Sequence, residues 1–138
     1  MGHTTFSKEV FASFRSNDRD GPIQMLNLIK LHDVVRYENG DQTSGIEAYA
    51  AYGRISAPVF AALGGKIIWR GRWELGLIGP ADESWDVCFI AEYPSVASFV
   101  EMSKNPVYRQ AVAHRTAAVR DSRLIRLAPA ATGNMFSG

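Results

Sequence analysis

The sequence predicts an α+β fold in which one antiparallel sheet carries helices on one of its faces. Three observations lead to this prediction. A nearly continuous apolar run at 23–31 has the length of a strand that is covered on both faces. Two stretches at 66–79 and 85–93 alternate apolar and polar residues, as strands do. Helix-capping patterns at residues 44–47 and 105–106 mark the starts of two helices. One helix lies between the first and second of these strands, and the other follows the third.

The composition favours one globular domain with a substantial core. The 138 residues are 46% hydrophobic and 21% charged, which is enough apolar side chain for a single core and too little chain for two domains. Fifteen Lys and Arg against fourteen Asp and Glu leave a formal net charge of +1. Since no strong positive field is present, we expect no nucleic-acid partner. No run reaches the roughly 18 apolar residues of a membrane helix, so we expect no membrane association.

The cysteine and histidine content argues against a metal centre. The single cysteine, Cys88, rules out an internal disulfide, and the three histidines lack the spacing of a zinc module. We therefore expect no metal and no cofactor. Low cysteine use is typical of a reducing compartment, and the predicted localisation is the cytoplasm.

The first 21 residues are predicted to form an N-terminal helical arm. Residues 6–15 place Phe6, Val10, Phe11 and Phe14 on one side of a short helix, which a polar stretch then ends. Residues 22–127 form the predicted α+β domain, and the first strand is 23–31. A polar excursion at 33–43 follows, with an Asn-Gly turn pair at 39–40.

A capping box begins the next helix. In the sequence Ser-Gly-Ile-Glu at 44–47, the Ser44 hydroxyl and the Glu47 carboxylate satisfy reciprocal backbone donors. The helix is predicted to run to Leu63 and to stop at two glycines. Pro58 cannot donate to the carbonyl of Arg54, so a kink or a split into two short helices is expected.

The second half of the domain is predicted as a hairpin, two helical segments and a last strand. Residues 66–79 form either one long strand or two strands joined at a bulge near Gly71, and 85–93 form the third strand. A short helix ends at Met102, and Asn105 caps a second helical segment that reaches Arg120. Residues 122–127 form the final strand, and 128–138 are expected to be a flexible C-terminal tail.

The predicted order of elements is strand, helix, strand, strand, helix, strand, which is the ferredoxin-like split βαβ arrangement. Helices cover one face of such a sheet. The other face would carry a set of aromatic side chains, each with roughly 150 to 250 Å² to bury, which is too much to leave in water. These are Trp69, Trp73, Trp85, Phe89 and Tyr93. A second copy of the sheet would cover them, so the sequence predicts a homodimer.

Several segments resemble a known family. They are Met25 to Lys30, Ser44 to Pro58, Gly64 to Gly71, and His114 to Ile125. Over about residues 22–127 the chain is similar to the domain of unknown function 1330 family, within the dimeric α/β-barrel superfamily. The resemblance implies two ferredoxin-like subunits that pack sheet to sheet into a barrel, each with room for a small-molecule ligand. It implies no particular activity.

Two neighbouring residues of the last helix are candidates for chemistry. Arg115 falls near the centre of an apolar arc and needs a partner, because a guanidinium keeps its proton when buried. That partner would be Asp121, Glu92 or a chain terminus; alternatively, Arg115 anchors a ligand carboxylate or enolate. His114 lies at the edge of the same arc, where it is either a proton shuttle or a hydrogen-bonded side chain on the helix flank.

Asn27 interrupts the apolar first strand and must find hydrogen-bond partners. If Leu26 and Leu28 face the helices, Asn27 faces the barrel interior together with Trp69 and Trp73. Some cofactor-independent or haem-degrading oxygenases of the superfamily use Asn, Trp and His or Arg there, and the resemblance carries this over to Asn27, Trp69 and His114 by residue type. Alternatively, Asn27 satisfies the backbone at an irregularity of its strand.

Two functions remain open from the sequence. The first is a cofactor-independent oxygenase or isomerase of a small aromatic or enolisable ligand, with His114 moving a proton while Arg115 and Asn27 stabilise an oxyanion. The ligand wall would then be Tyr49, Tyr52, Trp69 and Trp73, which are otherwise core or interface residues. The second is a non-catalytic small-molecule-binding or dimeric interaction module. An interior cavity of about 300 Å³ or more where the three polar groups meet would favour the enzyme.

Overall fold

The computed structural model describes residues 2–137, so the outermost residues of the predicted arm and tail, at positions 1 and 138, lie outside the described part. The elements are α1 (Lys8–Ser16), β1 (Ile23–Leu31), β2 (Val34–Arg36), β3 (Gln42–Ser44), α2 (Gly45–Ala62), β4 (Lys66–Gly71), β5 (Val87–Tyr93), α3 (Val96–Lys104), α4 (Pro106–Ala118) and β6 (Val119–Leu127). Within residues 2–137, no helix is both long and apolar enough to cross a membrane.

The main sheet has the strand order β4-β5-β1-β6, and all of its neighbouring strands are antiparallel. The element order β1-α2-β4-β5-α3/α4-β6 together with this strand order is the ferredoxin-like fold, which confirms the predicted fold class. The two central strands, β5 and β1, lie between two edge strands, β4 and β6.

The helices cover one face of the sheet, and β1 presents its odd-numbered residues to them. Ile23 and Met25 pack in one buried cluster with Val96 and Met102, and Ile29 packs in a second with Ala48 and Ala118. Leu26 and Leu28 therefore point to the other face, which we call the open face. The sequence analysis considered the reverse orientation, with Asn27 in the barrel interior, and this was wrong: Asn27 lies on the helix face, between Met25 and Ile29.

The strand register also corrects the predicted aromatic face. Tyr93 pairs with Ile23, and Phe89 pairs with Asn27, so both aromatic rings lie on the helix face. Tyr93 packs edge to face against Phe60 and Phe99, with centroids 5.2 and 5.1 Å apart. Of the five aromatic residues assigned to the dimer face, Trp69 alone lies at a strand position of the open face. Trp85 and Trp73 lie in the connection between β4 and β5, where Trp85 is buried with the Arg123 guanidinium 5.2 Å from its ring.

The strand predicted at 66–79 is shorter than expected. β4 ends at Gly71, which pairs with Cys88. Cys88 is only the second residue of β5, which begins at Val87. Residues 72–79 therefore have no strand beside them to pair with. The irregularity of the strand lies between Ile67 and Trp69, and not near Gly71. The polar excursion at 33–43 contains a small hairpin, β2–β3, which turns at Gly40 (φ +92°) as the Asn-Gly pair predicted.

The two helix starts lie where predicted, although residues 2–137 contain only the Ser44 half of the capping box, without a hydrogen bond from the Ser44 N–H to the Glu47 carboxylate. The Ser44 hydroxyl accepts a hydrogen bond from the backbone N–H of Glu47, and the Asn105 side chain accepts from Val107 and Tyr108 ahead of Pro106. The predicted split into two helices at Pro58 is absent, because α2 is continuous from Gly45 to Ala62. Arg54 and Pro58 are both exposed, so water can reach the carbonyl that lacks its helical donor.

The N-terminal residues pack onto the domain. Phe14 of α1 packs against Phe99 of α3, with ring centroids 4.8 Å apart, and its backbone carbonyl accepts a hydrogen bond from Arg126. Residues 2–7, which we call the strap, run beside the start of β6: the Ser122 hydroxyl donates to the backbone carbonyl of His3 at 2.8 Å. Residues 128–137 follow β6 without a helix or strand and are exposed.

Candidate functional site

The helix face contains a polar zone between its two apolar clusters. Arg70, Phe89, Asn27 and Leu124 pair in one row across the sheet. This row lies between Met25, which belongs to the first apolar cluster, and Ile29, which belongs to the second. Helices α2 and α4 pack side by side above this row. The polar side chains of the row and of these helices form what we call the polar layer: Asn27, Tyr49, Tyr52, Arg70, Tyr108 and Arg115.

Three tyrosines lie side by side in this layer. The hydroxyls of Tyr52 and Tyr108 share a hydrogen bond of 2.9 Å, and the rings of Tyr49 and Tyr52 have centroids 5.4 Å apart. Burial raises the pKa of Tyr49 to about 12, although the positive charges of Arg115 and Arg70 act against this rise. Burial, reinforced by Tyr108, likewise raises the pKa of Tyr52 well above its usual value. The raised pKa values keep the Tyr49 and Tyr52 phenols protonated at neutral pH.

Within residues 2–137 the Tyr49 hydroxyl makes no hydrogen bond and is not a buried unpaired atom, so water can reach it, whereas the hydroxyls of Tyr52 and Tyr108 share a hydrogen bond. Since Tyr49 feels both arginine charges, its hydroxyl lies in a positive part of the layer. A donor in such surroundings favours an anionic or strongly dipolar oxygen as its acceptor.

Arg115 is half-buried, and its predicted carboxylate partners lie elsewhere. Its Nη1 donates to the backbone carbonyl of Thr4, in the strap, at 2.8 Å. Asp121 accepts instead from the backbone N–H of His3 and from Arg123, both at 2.8 Å. Glu92 bonds to Gln24 and to Lys66 on the open face. The expectation that Arg115 is largely buried in an ion pair with Asp121 or Glu92 was therefore wrong.

His114 lies one residue along α4 but is committed to a different neighbour. Its Nδ1 is 2.8 Å from the Tyr37 hydroxyl, and the two rings meet edge to face. This contact ties α4 to the β2–β3 hairpin. His114 is therefore a hydrogen-bonded side chain on the helix flank, which is one of the two alternatives considered for it. We assign it no role in proton transfer to a ligand.

The remaining predicted residues divide between the two faces of the sheet. Asn27 donates from Nδ2 to the backbone carbonyl of Met25 at 3.0 Å, so part of its hydrogen-bonding capacity is used within its own strand. Tyr49 and Tyr52 belong to the polar layer with it. Trp69 lies on the opposite, open face, and Trp73 lies beyond the end of β4. The predicted convergence of Asn27 with Trp69 and Trp73 was therefore wrong.

Two residues of the layer were not among the sequence candidates. The sequence analysis assigns no role to either of them, Arg70 or Tyr108, and Arg70 is exposed in the structure. Arg70 faces the helices because the irregularity between Ile67 and Trp69 shifts the register of β4. The alternation of the sequence gives no signal for that shift. For Tyr108, a phenol at helical spacing from Arg115 was the available signal.

Two open grooves lie outside the polar layer. One, of about 460 Å³, is lined by His32, Val34, Val35, Arg36, Gln42 and Ala117. The other, of about 320 Å³, is lined by Phe6, Phe11, Ser103, Lys104 and Arg109. Neither groove is lined by Asn27, His114 or Arg115. Within the described part of the chain, His, Cys, Asp and Glu side chains form no group of three or more that could hold a metal ion.

Comparison with known structures gives two near-complete matches. The crystal structure of the methylated RPA0582 protein has 63% sequence identity to this chain and a TM-score of 0.94, over 96% of this chain and 98% of that chain. The RPA0582 protein of unknown function from Rhodopseudomonas palustris has 63% identity and a TM-score of 0.92, over 96% and 100% of the two chains.

A more distant match is a dimeric protein of unknown function with a ferredoxin-like fold from Bacteroides fragilis NCTC 9343, at 14% identity and a TM-score of 0.48, over 77% of this chain and 94% of that chain. No curated protein matches the chain. The family model described as domain of unknown function DUF1330 matches residues 41–127, which is more than half of the sequence. The chain therefore belongs to the DUF1330 family.

Proposed function

We propose that this protein is a homodimeric domain that binds a small organic anion, a carboxylate or an enolate, in the polar layer. The observation that carries the proposal is the Tyr49 hydroxyl, which has no hydrogen-bond partner in residues 2–137 and whose pKa the positive charges of Arg115 and Arg70 act to lower. A ligand site needs a few fixed polar groups in an otherwise apolar wall. The apolar clusters on either side of the layer supply that wall.

The strap supports this assignment of Arg115. The backbone carbonyl of Thr4 occupies one donor of the guanidinium at 2.8 Å, and a carbonyl oxygen is the acceptor that a ligand carboxylate would replace. A carboxylate can accept two parallel N–H bonds from a guanidinium, whereas a single carbonyl oxygen cannot match this geometry. A ligand that reaches the layer would therefore displace the strap from Arg115.

The homodimer is supported by the open face. Trp69, Ile90, Leu26 and Ile125 pair in one row that crosses all four strands on that face. Trp69 is 48% exposed and Ile125 is 42% exposed. A continuous apolar row of this kind is typical of a surface that another subunit covers, and a two-fold axis would pair the row with itself.

Proton transfer on an enolisable ligand is the second candidate, and Tyr49 favours it. A phenol with a pKa of about 12 stays neutral at physiological pH, so it can donate to an enolate oxygen as negative charge develops there. The arginines would stabilise the same charge. This candidate also needs a base, which the ligand's own carboxylate or water would have to supply, since His114 is bonded to Tyr37.

The binding proposal is tested by NMR titration and calorimetry with small aromatic acids and keto acids, with the matching neutral amides as controls. The acids should perturb Arg115 and the residues around Tyr49, and the amides should not. Tyr49→Phe and Arg115→Gln should each weaken binding at least about tenfold. Tyr37→Phe and Arg109→Gln, which alter a phenol and an arginine outside the layer, should leave it unchanged. Equal binding of acids and amides, or no binding, contradicts the proposal.

The dimer has its own matched pair of variants. Ile125 and Leu124 are adjacent in β6 and similarly exposed, at 42% and 38%, but they lie on opposite faces of the sheet. Ile125→Lys should dissociate the dimer in sedimentation experiments, and Leu124→Lys should not. A wild-type chain that is monomeric at micromolar concentration would overturn this part of the proposal.

Exchange of the α-proton of keto acids for deuterium, followed by NMR, tests the second candidate function.

A further inference from the structure

We propose that residues 72–78, which we call the clasp, dock onto the β6 edge of the open face of a second copy of this chain. This inference rests on the homodimer proposed above and adds to it the segment that closes the interface. The clasp follows β4 directly and begins the long connection that leads to β5 at Val87. Connections of this length without regular structure are uncommon in compact domains and usually carry a function.

Within residues 22–127, the clasp contains the three most exposed large hydrophobic side chains. Leu75 is 77% exposed, Leu77 is 87% exposed and Ile78 is 96% exposed. Within residues 2–137, the backbone of the clasp makes no hydrogen bond to the rest of the chain. Isolated exposed leucines are ordinary, but a run of large aliphatic side chains beside an apolar sheet edge is typical of an interaction surface.

The pattern of the clasp favours a strand-like docking mode. Trp73, Leu75 and Leu77 alternate with polar or small residues, so an extended clasp would present these three side chains to one side. Its own subunit offers no strand there, because Gly71 is the last residue of β4 that has a partner in β5. On a second subunit the strap contacts β6 at Asp121 and Ser122, so the clasp would pair by strand addition with the edge beyond them, at residues 123–127.

Continuity with the open face selects a second copy as the occupant. Gly71, where the clasp begins, pairs with Cys88, and Cys88 pairs with Leu28 of the open face. At the far edge of the same face, β6 leaves Ile125 and Leu127 exposed. A two-fold axis would place each clasp on the partner's β6 edge. The same contact would then occur twice in the dimer and would cover both exposed regions.

The first experiment measures the dimer dissociation constant of the full-length protein by sedimentation equilibrium. Leu75→Ser and Leu77→Ser should each raise it at least about tenfold, as expected for the loss of one buried aliphatic side chain. Ile46→Ser is the matched control, because Ile46 is 72% exposed on α2, away from the sheet. This control should leave the constant within about twofold of the wild-type value.

The outcomes separate the clasp from the dimer itself. If Leu77→Ser leaves the constant unchanged while Ile125→Lys still dissociates the dimer, the clasp inference is overturned and the homodimer stands. If the wild-type chain is monomeric, both proposals fail. If Ile46→Ser weakens the dimer as much as Leu77→Ser does, the effect is not specific to the clasp, and the inference is overturned.

A crosslinking experiment identifies what the clasp touches. A photoreactive benzophenone side chain at position 77, in a mixture of ¹⁴N- and ¹⁵N-labelled chains, should give crosslinked peptides of mixed isotope content that contain residues 123–127. Crosslinks to the exposed Met135 and Phe136 of the C-terminal tail, or crosslinks confined to one chain, would overturn the inference in favour of an occupant from the same subunit.

Discussion

The Arg115 guanidinium donates to the backbone carbonyl of Thr4 at 2.8 Å, which joins α4 to the strap across 111 residues of sequence. Two further contacts hold the strap in place, from the backbone N–H of His3 to Asp121 and from the Ser122 hydroxyl to the carbonyl of His3, each at 2.8 Å. The strap therefore covers the polar layer at its Arg115 end. The side chain that we propose as a ligand anchor is therefore bonded to the chain's own N-terminal segment.

Arg115→Ala should lower the free energy of unfolding by about 1.5 kcal/mol, the range of a hydrogen bond from a charged group. A buried ion pair that loses one partner would cost about 3 to 5 kcal/mol, but Arg115 is half-buried and its acceptor is a neutral carbonyl. Urea denaturation measures the change, and the exposed Arg109→Ala on the same helix should be near neutral. A loss above about 3 kcal/mol would point to a buried anionic partner.

Attachment of the strap should depend on pH through Asp121. Hydrogen bonds from the backbone N–H of His3 and from Arg123 hold the pKa of Asp121 below its usual value of about 3.9. The folded state therefore favours the ionised carboxylate. The stability from this contact is fully present above the usual pKa and is lost as the pH falls through the lowered pKa.

The amide of His3, followed by ¹⁵N NMR, should lose its hydrogen-bonded shift in that acidic range. Asp121→Asn should release the strap at neutral pH, because an amide oxygen is a weaker acceptor than a carboxylate. Asp82→Asn, which changes an exposed aspartate that makes no hydrogen bond to the strap within residues 2–137, should have no such effect. A His3 amide that does not respond to Asp121→Asn would contradict this account.

Tyr49 should set part of the alkaline limit of stability. Its pKa is raised to about 12 in the folded protein, against about 10 for an unfolded chain. Between these values the unfolded chain loses a proton that the folded protein keeps, so stability is complete below pH 10 and falls as the pH rises towards 12. Tyr49→Phe should flatten this fall in thermal denaturation curves.

Absorbance at 295 nm gives the matching measurement, because phenolate formation is visible there. Tyr49→Phe should remove one ionisation close to pH 12 from the titration of the folded protein. If the variant instead removes an ionisation near pH 10, Tyr49 is solvated rather than buried, and the polar layer is more open than its contacts indicate.

Much of the fold follows from local sequence signals. The capping serine at 44 and the Asn-Pro pair at 105–106 act through hydrogen bonds to residues two or three positions away, so their geometry is contained in the sequence itself. The apolar run at 23–31 likewise gave the bounds of β1. Pro58 was the exception among local signals, since its effect depends on whether the freed carbonyl of Arg54 is exposed.

The site was harder to predict because it depends on which face each strand residue adopts. An apolar strand such as β1 has side chains of similar character on both faces, so nothing local distinguishes Leu26 from Met25. Because the odd-numbered residues of β1 face the helices, Asn27 lies on the helix face and not in the barrel interior. The shift between Ile67 and Trp69 then placed Arg70 on the helix face of the sheet, and predicting this requires knowledge of the pairing with β5.

Two glycines of α2 give the sharpest test of the packing between this helix and the sheet. A Cβ at Gly45 would lie 1.9 Å from the backbone carbonyl oxygen of His32, which cannot move aside as a flexible side chain could. A Cβ at Gly53 would meet nothing within 4 Å. Although alanine is the better helix former at both positions, only Gly53 has the space to benefit from it.

Gly45→Ala should therefore destabilise the protein by about 1 to 3 kcal/mol, the usual range for overpacking, and Gly53→Ala should stabilise it by about 0.5 to 1 kcal/mol. Urea denaturation of the two variants under one set of conditions gives changes of opposite sign if the contact is as described. Equal stabilisation by both substitutions would mean that α2 begins further from the end of β1, and the position of Tyr49 above the sheet would have to shift with it.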